Sequence, residues 1–125
     1  MTPRRPDRAP GVVGEQAEHY AERYLSKRGC ALVCRNYRCR AGELDLVMRD
    51  GATLVFVEVR YRRSAGFGGP AESVDANKRR RLRTAAEHFL QRYRGAAFES
   101  CRFDVVALIG DITQPQVEWI ADAFE

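Results

Sequence analysis

The alternation of apolar and polar positions between residues 40 and 63 predicts a β-hairpin. The stretch reads RAGELDLVMRDGATLVFVEVRYRR, and the dipeptide Asp50-Gly51 in its middle suits a two-residue turn. With those two residues as the loop, Glu43 faces Glu58 and Asp45 faces Phe56. Side chains alternate along a strand, so Glu43, Asp45, Glu58 and Arg60 share one face. The other face is then apolar and carries Leu44, Leu46, Met48, Val55, Val57 and Val59.

Helical spacing of apolar residues predicts one helix on each side of this hairpin. The first helix runs over Val13–Arg28 and ends at Gly29, with a buried stripe of Ala17, Tyr20, Ala21, Tyr24 and Leu25. Glu18 lies one heptad before Leu25 and therefore follows the edge of the stripe, whereas Glu15 faces water. The second helix runs over Ser73–Arg94, is capped by Ser73 or Asp75, and buries Leu82, Ala85, Ala86, Phe89, Leu90 and Tyr93.

Three further strands complete the pattern, over Cys30–Cys39, Ser100–Ile109 and Gln116–Ile120, the last at a sheet edge. The predicted fold class is α/β, a mixed sheet with helices packed on it, in the order α-β-β-β-α-β-β. Residues 1–12, rich in proline and arginine, predict a disordered basic arm. Residues 13–125 predict a single domain, with a mobile glycine-rich loop over 64–73.

Composition is that of a globular protein with a basic balance. The chain has 125 residues, a formal net charge of +4 and 45% hydrophobic residues, which suits one domain and favours an anionic partner. The basic residues are nearly all arginine, a skew that a genome-wide bias toward arginine codons explains without any function. No apolar run has the length of a membrane span, and no signal peptide is visible, so we expect a cytoplasmic protein without membrane contact. The four cysteines match no zinc-binding spacing.

The acidic residues of the hairpin carry the candidate chemistry. Glu58 lies in TLVFVEV, which is too apolar for a strand washed by solvent, so its carboxylate must be ion-paired, protonated or bound to a metal. Asp45 and Glu58 stand diagonally, with Cβ atoms roughly 6–8 Å apart, and can converge on one Mg²⁺. The alternative is an ion-pair network in which Arg60 neutralises the acids. For Glu18 the alternative role is to complement the helix dipole.

A basic run opens the second helix. Its residues Lys78, Arg79, Arg80, Arg81 and Arg83 are candidates for phosphate contacts, as is Arg62 at the end of the hairpin. Lys78 precedes Leu82 by four positions and therefore points toward the domain. The alternative is an ordinary solvated face.

Several segments together resemble one family. The helix ending in YLSKRG is followed by NYR, GELDLV, LVFVEVRYR, VDANK and CRFDVVAL. In this order they resemble the YraN-like family of predicted endonucleases, in the PD-(D/E)XK superfamily and related to archaeal-type Holliday junction resolvases. The resemblance implies a restriction-endonuclease-like core and hydrolysis of DNA, branched DNA included, with Mg²⁺ or Mn²⁺.

Site residues follow from the same resemblance. Asp45 and Glu58 match the metal-binding acids, Glu18 matches the acid of the first helix, and the carbonyl of Val59 is a further metal ligand. Arg60 occupies the position of the superfamily lysine. Glu43 is an auxiliary candidate for a different reason, since the hairpin pattern places it on the same face as Asp45. Arginine cannot be deprotonated in a protein, so Arg60 can stabilise charge but cannot act as a base.

This departure leaves three functional hypotheses open. The first is a metal-dependent endonuclease, in which Lys78 is the lysine placed to substitute for the missing one. The second is a nucleic-acid-binding module of the same fold that is catalytically weak or inactive. The third is a protein-interaction domain whose basic helix meets an acidic protein. Resolvases of this fold act as dimers, so a homodimer is expected by analogy.

Overall fold

Seven elements follow one another in the predicted order. In the computed structural model, which describes residues 11–64, 74–93 and 98–125, these are helix α1 (Val12–Ser26), strands β1 (Ala31–Cys39), β2 (Gly42–Asp50) and β3 (Thr53–Arg62), helix α2 (Ala76–Arg92), and strands β4 (Ser100–Ile109) and β5 (Gln116–Phe124). The predictions for residues 1–10, for the glycine-rich loop over 65–73, and for Ser73 and Arg94 fall outside the described residues. Among the described helices none is both long and apolar enough to span a bilayer.

The strands form one mixed sheet in the order β1-β2-β3-β4-β5. Strands β3 and β4 are parallel, with Glu58 beside Val105, and every other neighbouring pair is antiparallel. Parallel neighbours require a crossover connection, and α2 lies within it. The predicted α/β class and mixed sheet are therefore confirmed.

Each face of the sheet is covered by one helix. On the α1 face, Ala17, Ala21 and Leu25 pack against a cluster that includes Leu46, Met48, Val55 and Val57. On the α2 face, Leu82, Ala85 and Phe89 pack against Val47, Leu54 and Phe56. Strand β3 is central and buried on both faces, which explains why TLVFVEV reads as a nearly continuous apolar run.

The helix boundaries and most of the predicted stripes agree with the structure. Asp75 caps α2, because its Oδ1 accepts the N–H of Lys78 at 2.8 Å. The predicted burial of Leu90 and Tyr93 is wrong: their exposed fractions are 38% and 44%. Phe89 belongs to the core beneath the last turn of α2, and the ring of Tyr93 stacks on it from outside. Leu90 and Tyr93 therefore lie outside the core.

The last strand is longer than predicted. Strand β5 continues past Ile120 to Phe124, through an irregularity in its pairing with β4. Asp122 takes a left-handed backbone conformation there, with φ 52°, and its N–H bonds to the buried carboxylate of Asp104. A stretch of this kind has no regular alternation, so the pattern of hydrophobic residues alone ended the strand too early.

The regular alternation of side chains between the two faces of the sheet is interrupted in β1, and the neighbouring strand β2 shows the same interruption. Arg35 pairs with Glu22 of α1, whereas Tyr37, two residues further on, packs on Phe89 of α2. Between them Asn36 has φ 50°, which breaks the regular alternation. Leu44 lies opposite Tyr37 and joins the α2-side cluster. The prediction that Leu44 shares a face with Leu46 is therefore wrong.

Candidate active site

The hairpin register differs from the predicted one by two residues. Asp50 pairs with Thr53, so the loop is Gly51-Ala52, and the ladder between β2 and β3 ends at the pair Leu46–Val57. Gly51 supplies the left-handed conformation of the loop with φ 60°. The predicted opposition of Glu43 and Glu58 is therefore wrong. A shift of two residues keeps each side chain of a strand on its face, so Glu58 and Arg60 still share one.

Asp45 and Glu58 lie just beyond the end of this ladder. The Oδ2 atom of Asp45 accepts a hydrogen bond from the N–H of Val59 at 2.9 Å. Val59 lies beyond the last residue of β3 that pairs with β2, so its N–H group is bonded by a side chain. The carboxylate fixed in this way lines the same pocket as Glu58. The end of a strand pair thus becomes a pocket lined by acids.

This pocket brings together residues from both helices and from strands β2 and β3. Helix α1 and β2 contribute three of the predicted acids, Glu18, Glu43 and Asp45, and β3 contributes Glu58, Val59 and Tyr61. Lys78 reaches it from the first turn of α2. The remaining lining comes from the first turns of α1, namely Val13, Gly14 and Ala17.

Glu58 is the most deeply buried acid of the pocket, with 4% of its surface exposed. Its Oε2 atom lies 3.4 Å from Nζ of Lys78 and 3.5 Å from Nε of Arg60. Its Oε1 atom is buried and has no hydrogen-bond partner among the described residues. A buried carboxylate oxygen without a partner is costly in a folded protein, which marks this position as one suited to a ligand.

Asp45 sits in an environment that disfavours its negative charge. Burial, the neighbouring charge of Glu58 and a hydrogen bond with the Glu58 side chain, with a smaller effect from Glu18, raise the pKa of Asp45 well above its ordinary range. The hydrogen bond from Val59 acts in the opposite direction but is outweighed. Acids forced together in this way are characteristic of functional sites.

The donor set suits a hard divalent cation held by few protein ligands. Among the described residues no group of three or more His, Cys, Asp or Glu side chains is arranged to hold a metal ion. Mg²⁺ is commonly bound by one or two carboxylates, with water and substrate phosphates completing its shell. Asp45 and Glu58, with the Oε1 of Glu58 that has no hydrogen-bond partner among the described residues, fit that pattern.

The other predicted site residues separate into distinct groups. Glu43 lies opposite Arg38 of β1 and bonds to it at 3.0 Å, so it lines the pocket while already paired. Arg62 is exposed at the end of β3.

Two arginines of α2 have contacts that tie the helix to the C-terminal end of the sheet. Arg79 donates to the carbonyl of Val74 and stacks over Phe124, and Arg83 donates to the carbonyl of Glu125. Arg80 and Arg81 are exposed, with Arg80 bonded to Asn77 on its own helix. Of the predicted basic residues on α2, Lys78 is the one that lines the pocket.

Comparison with known proteins gives the same family over most of the chain. The model of the uncharacterised protein family UPF0102 matches residues 17–108. The chain belongs to the UPF0102 family. A UPF0102 protein of Methylobacillus flagellatus is 54% identical over 112 residues, which cover 90% of this chain and 96% of the relative. Another, from Pseudomonas entomophila, is 51% identical over 122 residues, covering 96% and 98%.

The UPF0102 match spans all the residues that line the pocket except Val13 and Gly14. It begins at Ala17, includes the acids, Arg60 and the basic run of α2, and ends within β4. The YraN-like resemblance expected from the sequence is thereby confirmed at the level of this family.

Sequence reasoning missed four residues that shape the pocket in this UPF0102 chain. Val13, Gly14 and Ala17 line it from α1, and a signal was present for Gly14, because it precedes Glu18 by four positions and so lies on the same side of the helix. Tyr61 is two residues after Val59 and shares its face. Its hydroxyl donates to the carbonyl of Gly110 at 2.6 Å, which joins the end of β3 to the end of β4.

Proposed function

We propose that this UPF0102 chain is a nuclease that hydrolyses phosphodiester bonds of DNA with a bound Mg²⁺ or Mn²⁺. One observation carries the proposal: Asp45 and Glu58 are held close together in one pocket, where the pKa of Asp45 is raised and Oε1 of Glu58 has no partner among the described residues. Two negative charges in contact in a buried pocket destabilise the fold, and a divalent cation bound between Asp45 and Glu58 would remove the repulsion. The resemblance to the PD-(D/E)XK superfamily and to archaeal-type resolvases supports the same function.

The acids are assigned to metal binding. Asp45 and Glu58 would hold the ion directly, with the carbonyl of Val59 as a further ligand, and Glu18 would act through water. Such an ion lowers the pKa of water and neutralises charge on the phosphate. The N–H of Val59 keeps the Asp45 carboxylate oriented, since it bonds Oδ2 at 2.9 Å.

Lys78 is assigned the part that a strand lysine has elsewhere in the superfamily. Arg60 holds the superfamily position but cannot release a proton. Lys78 reaches the same oxygen of Glu58 from α2, within 0.1 Å of the Arg60 distance. We assign to Lys78 the orientation of the attacking water, and to Arg60 the stabilisation of negative charge on the phosphate.

The exposed basic residues of α2 are assigned to the flanking DNA backbone. Arg80, Arg81 and Arg83 have exposed side chains on the same helix as the pocket residue Lys78. Neutralising about three phosphates of a duplex gives a slope of about −3 in a plot of log affinity against log salt concentration. Branched DNA is included in the proposal by analogy with resolvases of this fold.

A second function, a nucleic-acid-binding module with weak or no catalysis, is favoured by the cations on Glu58. Arg60 and Lys78 both lie within 3.5 Å of its Oε2 atom, so the charge of Glu58 is already compensated without a metal. If this compensation is the final state of the site, the pocket has no need for Mg²⁺.

Titration with Mn²⁺, followed by electron paramagnetic resonance, separates the two functions. A nuclease of the proposed kind takes up Mn²⁺ at a saturable site, and Asp45→Asn and Glu58→Gln abolish the uptake. The matched control is Asp50→Asn, which removes an acid at the opposite end of the hairpin and should leave uptake unchanged. Equal uptake by all four proteins, or no saturable uptake by the native chain, contradicts the metal site and favours the binding module.

A further inference from the structure

A basic and aromatic surface on α1 has no part in the pocket described above. Two grooves meet on the outer side of this helix, and both are lined by Tyr20 and Arg23. One groove continues to Ile112 and Thr113 in the turn between β4 and β5, and the other runs to the end of the helix. The name α1 surface is used here for Tyr20, Arg23, Tyr24, Lys27 and Arg28.

The charge of the α1 surface is unbalanced. Arg23, Lys27 and Arg28 form no ion pair with any acid in the described part of the chain. On the other flank of α1, by contrast, Arg35 is held by both oxygens of Glu22, at 2.6 and 2.9 Å. Three cations on neighbouring turns, left without acidic partners, favour an anionic ligand.

The aromatic rings of the surface narrow the class of that ligand. The guanidinium of Arg28 lies 3.4 Å from the ring centre of Tyr24, and that of Arg23 lies 5.7 Å from the ring centre of Tyr20. Both rings are half-buried, so they are held in place on the α1 face of the sheet. Bases of single strands stack on aromatic rings and on guanidinium planes, whereas the base faces of a duplex are covered.

We infer that the α1 surface binds unpaired nucleotides of a nucleic-acid strand. The first turns of α1 separate this surface from the acidic pocket, because Ala17 and Glu18 line the pocket while Gln16 and His19 line the groove. From Glu18 to Ser26, where α1 ends, the helix rises about 12 Å, and Lys27 and Arg28 follow directly. A strand leaving the pocket would therefore follow α1 to the three cations. It would pass Glu15, the one acid among the described residues that line either groove.

Together with the basic run of α2, this surface defines a class of substrate. The two helices cover opposite faces of the sheet, and the pocket lies at the end of the sheet between their first turns. DNA with a duplex on the α2 side and unpaired nucleotides on the α1 side would contact both. A junction between single- and double-stranded DNA is the inferred substrate. This location of the scissile bond rests on the proposed nuclease function, whereas binding of unpaired nucleotides does not.

Fluorescence anisotropy in EDTA tests the inference without any cleavage. The probes are a labelled oligothymidylate and a labelled hairpin duplex, each titrated with the native protein and with a triple variant, Arg23→Gln, Lys27→Gln and Arg28→Gln. The triple variant should bind oligothymidylate at least ten-fold more weakly, with a salt slope reduced by about 2. Its affinity for the duplex should stay within a factor of two.

Two single variants complete the design. Tyr24→Leu keeps an apolar side chain in the α1-side cluster but removes the ring, and should weaken oligothymidylate binding by about 5- to 100-fold. Arg92→Gln removes an exposed charge from the far end of α2 and should change neither affinity. Thermal unfolding of each variant confirms that it is folded under the conditions of the titration.

Several outcomes would overturn the inference. These are an unchanged oligothymidylate affinity in the triple variant, an equal loss for the duplex, or an equal loss with Arg92→Gln. Competition by polyglutamate as strong as that by oligothymidylate, with no effect of Tyr24→Leu, would assign the surface to an acidic protein instead. If the native chain cleaves DNA but the substitutions in the α1 surface do not change oligothymidylate binding, the inference about the α1 surface is wrong and the nuclease proposal stands. If binding depends on those residues but nothing is cleaved, the nuclease proposal fails alone.

Discussion

The Nζ atom of Lys78 lies 3.4 Å from Oε2 of Glu58, so the first turn of α2 is joined to the central strand inside the acidic pocket. Arg60 reaches the same oxygen from the strand itself. The two cations that contact Glu58 therefore come from different elements, Arg60 from β3 and Lys78 from α2. A cation at this position can stay close to the carboxylates whether or not a metal is bound, which makes Lys78 the most informative residue for mutation.

Lys78→Gln is expected to lower the rate of DNA cleavage by roughly 10²- to 10³-fold, the usual range for loss of a positioned catalytic group. Single-turnover kinetics with saturating protein measure this effect without a contribution from affinity. Adding Arg60→Lys to the same protein should restore at least part of the rate, because a lysine then returns to the strand. Arg92→Gln is the charge-matched control. A Lys78→Gln protein that cleaves at the native rate would remove Lys78 from the mechanism.

Asp75 positions Lys78, since its carboxylate accepts the N–H of that residue at the start of α2. Asp75→Ala should cost about 1 kcal/mol of stability, which corresponds to a decrease in Tm of about 3–5 °C, and should slow cleavage as well. Asp75→Ser keeps a capping oxygen and should lose little of either. Differential scanning calorimetry and the cleavage assay on the two variants decide the matter, and equal behaviour of both would show that the cap does not position Lys78.

Asp45→Asn should make the protein more stable at pH 7, although it removes a site residue. The pKa of Asp45 in the folded chain is raised above its ordinary value near 3.8 by burial and by Glu58. At a pH between the ordinary pKa and the raised pKa, the folded chain binds more protons than the unfolded chain. The stability of the native state therefore falls as the pH rises through that interval. The variant does not titrate at this position, so its advantage in Tm should be present at pH 7 and disappear near pH 4.

Asp111→Asn serves as the control of opposite sign for this pH series. The backbone N–H and hydroxyl of Thr113 lower the pKa of exposed Asp111. Its stabilising effect is present above its ordinary pKa and is lost as the pH falls through the lowered value, so Asp111→Asn should not gain stability at pH 7. A lower Tm for Asp45→Asn than for the native protein at pH 7 would show that repulsion between Asp45 and Glu58 does not destabilise the native protein.

Asp104 is the structural counterpart of Asp45 in the same sheet. It is fully buried, and accepts hydrogen bonds from Arg102 at 3.0 Å, from Trp119 at 2.9 Å and from the backbone of Asp122 at 2.9 Å. Asp104→Asn should therefore destabilise by about 2–4 kcal/mol in urea unfolding. Asp50→Asn, which removes the more exposed partner of Arg102, should cost less than about 1 kcal/mol. Equal losses would mean that burial of Asp104 carries no special energetic weight.

The order of helices and strands could be predicted from the sequence, because the spacing of apolar residues that indicates each element lies within that element. The Glu18 helix and the alternation in β3 both follow from spacing alone, and Lys78 was directed inward by its distance from Leu82. The phase of Lys78 was enough to place it, and its contact with Glu58 agrees with that expectation.

The local geometry of the pocket was not readable in the same way. The turn signal Asp50-Gly51 does not fix which two residues form the loop, and Asp50 instead remains in the strand, where it pairs with Thr53 and contacts Arg102. The change of face at Asn36, which moves Leu44 to the α2 side, depends on one left-handed backbone angle that no period reveals. The end of the β2–β3 ladder, on which the pocket depends, is a result of tertiary packing.

The most direct test of the nuclease proposal is cleavage of a four-way junction, a duplex, a single strand and a duplex with a single-stranded tail, each with Mg²⁺ and with Mn²⁺. The native chain and the Asp45→Asn protein are compared at equal concentration, with EDTA as the blank. We expect metal-dependent cleavage of at least one substrate by the native chain and none by Asp45→Asn, which should still bind DNA as tightly as the native protein. Equal cleavage by both proteins, or binding of DNA by the native chain with no cleavage under any metal condition, would contradict the proposal.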